Sequence, residues 1–218
     1  MPVVGVDEAG KGPVLGSMFA AAVRVADGVD LPAGLDDSKR LSPDRREALD
    51  AQLRATDGVT LALAEVPVGR IDDPTTDMNG LTVAAHVEAL ARVARPGDLV
   101  RCDAADVDAA RFGRRVTEGL RAADLEPLDV RAEHRADERY PPVSAAGIVA
   151  KVARDAHVAR LAAEYGALGS GYPSDPTTTA FLTDYVAATG ELPGCARASW
   201  ATSERLLNAA SQSGLEEF

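Results

Sequence analysis

The sequence predicts an α/β protein, because short apolar runs suited to strands alternate with amphipathic helix patterns along most of its 218 residues. Three stretches carry that reading. An apolar run, Val3 to Val6, leads straight into the adjacent carboxylates Asp7 and Glu8. A second run, Leu99 to Cys102 with Arg101 interposed, ends on Asp103 and is followed at once by a helix pattern. A mixed-charge loop holding Asp137 then passes into a long alanine-rich helix from about Val143. A strand-end acid such as Asp103 lies at the edge of an open α/β sheet where ligands bind.

Taken in order, the Val3 to Val6 strand opens the segment GVDEAGKGPVLG. Neighbouring strand side chains point to opposite faces, so Asp7 can sit over a sheet face while Glu8 turns away or approaches through its backbone. Gly10 and Gly12 flank Lys11, and two glycines around one residue let a backbone come very close to a ligand. Pro13 stiffens the exit into a second apolar strand, Val14 to Val25. Residues 27–38 form a polar connection. Ser42, Pro43 and Asp44 then supply a cap, a first-turn proline and an early acid for a helix buried through Leu49 and Leu53. Val59 to Val66 reads as a third strand and residues 69–79 as a loop. Val83, Val87, Leu90 and Ala94 mark the apolar face of the next helix, and His86 beside that face is read as packing. After Asp103, either Asp106 or Asp108 caps a helix whose inner side carries Phe112, Val116 and Leu120. Pro127 to Glu133 is the last strand. Beyond Tyr165 the bend GALGSGYPSDP leads to a capped helix with Phe181 and Tyr185, and then to a final helix ending near Ala210. The expected division is an α/β domain over residues 1–165, a helical subdomain over 166–211 and a tail over 212–218.

No apolar run approaches the roughly 18 residues of a membrane-spanning helix, so a cytoplasmic protein is expected. Cys102 and Cys195 are too few and too far apart for a metal knuckle or a disulfide framework, and reduced thiols are expected. The net charge is −11, and Lys11, Lys39 and Lys151 are the only lysines against 20 arginines. Phosphate binding normally calls for a basic footprint, which this chain lacks. Acidic, lysine-poor chains resemble proteins of extreme halophiles, where molar salt cuts the Debye length to about 3 Å and only close contacts stay effective. Lys11 and Lys39 then gain weight as contact residues.

Asp7, Glu8, Asp103 and Asp137 can converge on a pair of divalent cations, and hard oxygen ligands select magnesium or manganese. Two such ions about 4 Å apart can activate a water and stabilise the leaving oxygen of a phosphodiester. A competing reading starts from Gly5 to Lys11, which fits the first seven positions of the phosphate-cradling pattern G-x-x-x-x-G-K-[ST]. The eighth position is Gly12, without the hydroxyl that holds magnesium, and a strand pattern follows where that motif requires a helix. A phosphate-loop nucleotide hydrolase stays open as the alternative, and a non-catalytic nucleic-acid binder as a third class. No Ser-His-Asp arrangement competes.

Five ordered segments, GVDEAGKGPVLG, DDSKRLS, CDAADVD, HRADERYPPVSAAGIVAKVARD and GSGYPSDP, make the chain resemble archaeal-type ribonuclease HII over nearly its full length. The resemblance implies a ribonuclease H-like mixed five-stranded sheet flanked by helices, with a small C-terminal helical appendage. It makes Asp7, Glu8, Asp103 and Asp137 the metal-binding catalytic carboxylates for two Mg2+ or Mn2+ ions. Implied substrates are RNA/DNA hybrids and single ribonucleotides embedded in DNA, cut 5′ of the ribonucleotide to leave 3′-hydroxyl and 5′-phosphate ends, as in ribonucleotide excision repair. A monomer is expected. The family senses the 2′-hydroxyl with a Gly-Arg-Gly backbone, for which this chain has Gly10, Lys11 and Gly12. Tyr172 matches the tyrosine that stacks at the RNA-to-DNA junction, Lys39 and Asn79 match contacts to the phosphate backbone, and Gly147 stands where a serine is expected. Finally, Gln212, Leu215 and Phe218 resemble the peptide by which replication enzymes dock on a PCNA-type sliding clamp.

Overall fold

The computed structural model describes residues 1–126 and 128–216. Strands β1 (Val3–Ala9), β2 (Met18–Val25), β3 (Val59–Val66), β4 (Leu99–Asp103) and β5 (Asp129–Glu133) form one five-stranded sheet in the order β3-β2-β1-β4-β5. β1 is antiparallel to β2 and parallel to β4, and β4 is parallel to β5, so the sheet is mixed. The helices are α1 (Pro43–Ala55), α2 (Val68–Ile71), α3 (Met78–Val93), α4 (Ala109–Ala122), α5 (Pro141–Tyr165), α6 (Pro176–Thr189) and α7 (Ala201–Glu216). A single 3-10 turn, Ala136–Glu138, precedes α5.

Local chemistry explains most of these boundaries. Ser42 accepts a hydrogen bond from the Arg45 N–H at 3.3 Å, Pro43 opens α1, and Leu49 and Leu53 are buried. Asp108 caps α4 through the Arg111 N–H at 2.9 Å, while Asp106 pairs with the Arg111 guanidinium. Phe112, Val116 and Leu120 form the buried side of α4. Asp175 caps α6 and Gly190, at φ 74°, ends it in the left-handed conformation.

The chain divides into two compact units. The first comprises residues 1–11, 18–65 and 78–154. On one face of its sheet Ala21, Val23 and Val25 pack with Leu53 of α1 and with Ala145, Ala146, Val149 and Ala150 of α5. Strand alternation turns Met18 to the opposite face, where it meets Thr82 of α3.

The second unit comprises residues 12–17, 66–77 and 155–218, so it is no simple appendage beginning at residue 166. Its core contains Val14, Leu15, Leu168, Leu182, Cys195 and Ala196. That core overturns the expectation that Val14 opens the second strand. The Val14 and Leu15 N–H groups donate to the Gly171 carbonyl at 2.8 and 3.3 Å, and Leu15 bridges Ala196, which commits their backbone outside the sheet. Buried Arg197 donates to the Gly16 carbonyl at 2.9 Å and stacks over Trp200.

Residues 69–79 are less irregular than expected, since they include the end of α2 and the start of α3. The last helix runs through Glu216 and does not end near Ala210. Ser211 bonds back to the Leu207 carbonyl at 2.9 Å within the continuing helix. Gln212 and Leu215 are therefore helical, while Phe218 lies outside the described residues, as does Pro127 at the start of the expected last strand. Among the described residues no helix is long and apolar enough to cross a membrane.

Candidate active site

Parallel pairing delivers the first two acids to one place. Val6 of β1 lies opposite Cys102 of β4, so the next residues, Asp7 and Asp103, emerge together at the carboxyl ends of adjacent strands. Asp103 in turn lies opposite Glu133 of β5. Alternation sends Asp7 and Glu8 to opposite faces of the sheet, Asp7 beside Ala21 and Glu8 beside Ala20.

The face that carries Asp7 is covered by α5 at unusually short range. A Cβ on Gly5 would stand 2.1 Å from the Pro142 carbonyl carbon, and a Cβ on Gly147 would stand 2.3 Å from Asp7 Oδ2. Two missing side chains thus let the helix lie on β1 with the carboxylate between them. Gly147, where the resemblance leads one to expect serine, makes room for Asp7 in this chain. On the other face, Glu8 Oε2 lies 2.9 Å from Nε2 of His86 on α3. Sequence reading had set His86 aside as packing.

Burial is the main force on these acids, and their mutual repulsion adds to it. Asp7 is pushed well above the usual carboxylate range by burial, then by the charges of Glu8 and Asp103 and more weakly by Asp137, against a 2.7 Å hydrogen bond from the Glu8 N–H. Asp103 is raised by burial, opposed by the Ala136 N–H at 2.8 Å, with Asp137 and Glu8 adding to the rise and His86 opposing it. Asp137, in the 3-10 turn, is raised by burial and by Asp37, against the Glu138 N–H and the charge of Lys39. Arg135, at φ 58°, makes the left-handed bend that brings the Ala136 N–H to Asp103 and places Asp137 next. The four acids therefore stand within electrostatic reach of one another. Among the described residues no three His, Cys, Asp or Glu side chains already close into a ligand shell. An all-oxygen set under mutual repulsion fits hard divalent cations, which would draw its members together.

The other expected site residues fall into three groups. Gly10 is buried at φ 89°, a left-handed conformation that requires glycine. Lys11 Nζ donates to Asn79 Oδ1 at 2.9 Å and to the Ala105 carbonyl at 2.6 Å, tethering the segment just beyond Asp103. Lys39 is exposed, and its N–H donates to Asp37 Oδ1 at 2.9 Å. In the second unit, among the described residues a Cβ on Gly12 would meet only Tyr172 Cε1, at an ordinary 3.5 Å. Tyr172 is 44% exposed, and Gln212 is exposed on α7. Sequence reasoning missed Asp37 as a neighbour of Asp137, the room made by Gly147, and the His86 contact. DDSK was a visible signal for the first, whereas the other two arise from packing between distant segments.

One alternative closes here. Gly5 to Ala9 are paired residues of β1, not a cradle of free amides, and the chain beyond Gly12 leads to β2 without an intervening helix, so the phosphate-loop reading fails. Cys102 and Cys195 are buried, and burial pushes the Cys102 thiol up, away from reactivity.

This mixed sheet with acids at the ends of neighbouring strands defines a ribonuclease H-like enzyme, the class of endonucleases that cut an RNA strand. More narrowly, the chain belongs to the ribonuclease HII family, whose model, Ribonuclease HII, matches residues 4–203. It is 60% identical over 214 residues to ribonuclease HII of Haloarcula marismortui, covering 98% of this chain and 99% of that one. It superposes on ribonuclease H2 from Pyrococcus horikoshii with a TM-score of 0.87 at 34% identity, over 97% of this chain and 100% of that one. It also matches ribonuclease HII in the PCNA:RNase HII complex from Archaeoglobus fulgidus, with a TM-score of 0.79 at 34% identity, over 93% and 95% of the two chains.

Proposed function

We propose that this chain cleaves RNA/DNA hybrids and also duplex DNA at a single embedded ribonucleotide, breaking the bond 5′ of the ribonucleotide to leave 3′-hydroxyl and 5′-phosphate ends. The observation that carries the proposal is the cluster of Asp7, Glu8, Asp103 and Asp137 at the sheet edge, where burial and neighbouring carboxylates raise Asp7, Asp103 and Asp137 above the usual carboxylate range. Those four would hold two Mg2+ or Mn2+ ions, which when bound activate a water and stabilise the departing oxygen. The chain's own part is positioning. The Glu8 N–H fixes Asp7 and the Ala136 N–H fixes Asp103. Lys39 and Asn79 would contact the phosphate backbone. The main chain of Gly10, Lys11 and Gly12 would read the 2′-hydroxyl, the atom that separates RNA from DNA. Among the described residues only Tyr172 comes near a Cβ at Gly12, at an ordinary distance, which supports a role for the missing side chain in close approach of the sugar. Half-exposed Tyr172 would stack at the RNA-to-DNA junction.

The setting we propose is the cytoplasm, as a monomer, at high salt, where screening relieves the self-repulsion of a chain carrying −11. Gln212, Leu215 and Phe218 would dock on a PCNA-type clamp. The first two stand three residues apart within the range of α7. The deciding assay offers a duplex with one ribonucleotide and a continuous hybrid, with Mg2+ or Mn2+ in multimolar KCl, and maps the product ends. Cuts on the 3′ side, or none with either ion, would refute the nuclease proposal. Calorimetry of the cognate clamp with the full chain and with Leu215→Ala and Phe218→Ala tests docking, and identical heats for all three would remove it.

A further inference from the structure

His86 stands 78 residues from Glu8 in the chain, and none of its surface is exposed. An imidazole is costly to bury unless its nitrogens find partners. A carboxylate oxygen has no proton to give, so across the 2.9 Å contact the His86 Nε2–H donates to Glu8 Oε2. Among the described residues Nδ1 has no hydrogen-bond partner. In the tautomer with its proton on Nε2, that leaves only an acceptor unpaired. Phe112 meets the ring edge-on, with centroids 5.1 Å apart and planes at 86°, and so blocks it from turning. The face of α3 around it is closed by buried Thr82, Val83, Ala85, Ala89 and Leu90. A buried polar group fixed by packing and committed to one carboxylate oxygen is a directional support.

Glu8 needs such a support, because strand alternation points it to the face opposite Asp7 although the two acids are adjacent at the strand end. We infer that His86 is a positioning residue that holds Glu8 by Oε2 and presents Oε1 to a divalent ion, an inference that rests on the reading of Glu8 as a metal ligand. Outer partners that orient ligating groups typically change metal affinity by about 10–100-fold when removed.

The test is Mn2+ binding to the full chain in high salt, followed by calorimetry without substrate. His86→Phe keeps the volume and the ring contact but loses the donor, and it is expected to bind Mn2+ about 10–100-fold more weakly. His86→Gln, whose side-chain N–H can reach the same oxygen, is expected to recover most of that loss. Affinity unchanged in His86→Phe overturns the inference. Equal weakening by Phe and Gln also overturns it, since packing and not the hydrogen bond would then be responsible. Glu8→Gln serves as the control. Unchanged affinity there sinks the ligand reading and this inference with it, whereas a weakened Glu8→Gln beside an unaffected His86→Phe sinks this inference alone. In the unmutated protein, the His86 Nε2–H nuclear magnetic resonance signal is expected to move as Mg2+ saturates the site. An unmoved signal contradicts the proposal without relying on any variant to fold.

Discussion

Two groups of aspartates, one in each compact unit, are treated in opposite ways. In the first, Asp7, Asp103 and Asp137 receive one backbone N–H each, lose water and face one another, and all three are raised. In the second, Asp175 collects the Ser170 and Thr177 N–H groups at 2.7 and 2.9 Å and is lowered, chiefly by the Ser170 N–H. Asp72 likewise accepts from the Ala198 and Ser199 N–H groups and the Ser199 hydroxyl. Asp72 and Asp175, surrounded by donors, tie loops together. Asp7, Asp103 and Asp137, with one backbone donor each and crowded by other acids, are held above the usual carboxylate range.

The largest expected effect breaks this contrast from the first side. Asp7→Asn and Asp103→Asn should lower cleavage by more than about 100-fold, since even outer-sphere losses reach that scale, and wild-type rates at saturating metal would refute the ligand assignment. Both variants should also raise the melting temperature of the metal-free protein at neutral pH. The sign follows from the raised acids: an acid harder to ionise in the folded state destabilises the fold wherever it is ionised, and that penalty fades as pH falls through its folded pKa. Asp175→Ala should do the reverse at neutral pH and lower the melting temperature, because a depressed acid stabilises the fold above its unfolded pKa and loses that contribution in acid. Melting scans of the chelated proteins across pH should therefore show differences of opposite sign that both collapse at low pH. Differences of the same sign would erase the distinction between the two groups of aspartates.

Next in size is Gly147→Ala, whose methyl would fall on the Asp7 carboxylate. A displacement of about 1 Å at a reacting centre can lower rates by roughly 100-fold, so cleavage should drop steeply, and an unaltered rate would mean that Asp7 can shift harmlessly. Gly5→Ala drives the same helix off the same strand. Overpacking of this kind costs about 1–3 kcal/mol, to be read from denaturant midpoints, and no loss would show that α5 is free to move. Tyr172→Ala, in the second unit, should lower cleavage at a lone ribonucleotide by several-fold more than at a continuous hybrid, given about 1–3 kcal/mol per stacked base. Equal losses on both substrates would remove the junction role. Smallest per site but general, the melting temperature should climb from low to multimolar KCl, and full stability at low salt would contradict the halophilic reading.

For α4 the sequence left the cap between Asp106 and Asp108, whereas legible in it were the α/β class, the strand that ends on Asp103 and the capped starts of α1 and α6. Each of these is written in neighbouring residues: apolar runs, a Ser-Pro or Asp-Pro start, a carboxylate at the end of a run. Only the tertiary structure decided where Val14 and Leu15 belong, because their backbone partners, Gly171 and Ala196, lie far along the chain and outweigh a local preference for strand. The same holds for His86 and Gly147. A buried histidine looks like packing until the carboxylate it holds is seen across 78 residues, and a glycine in a helix looks like a weakness until Asp7 is found pressed against it. Side-chain periodicity reports which face is buried, but what a face is buried against depends on how strands and helices from distant parts of the chain are brought together.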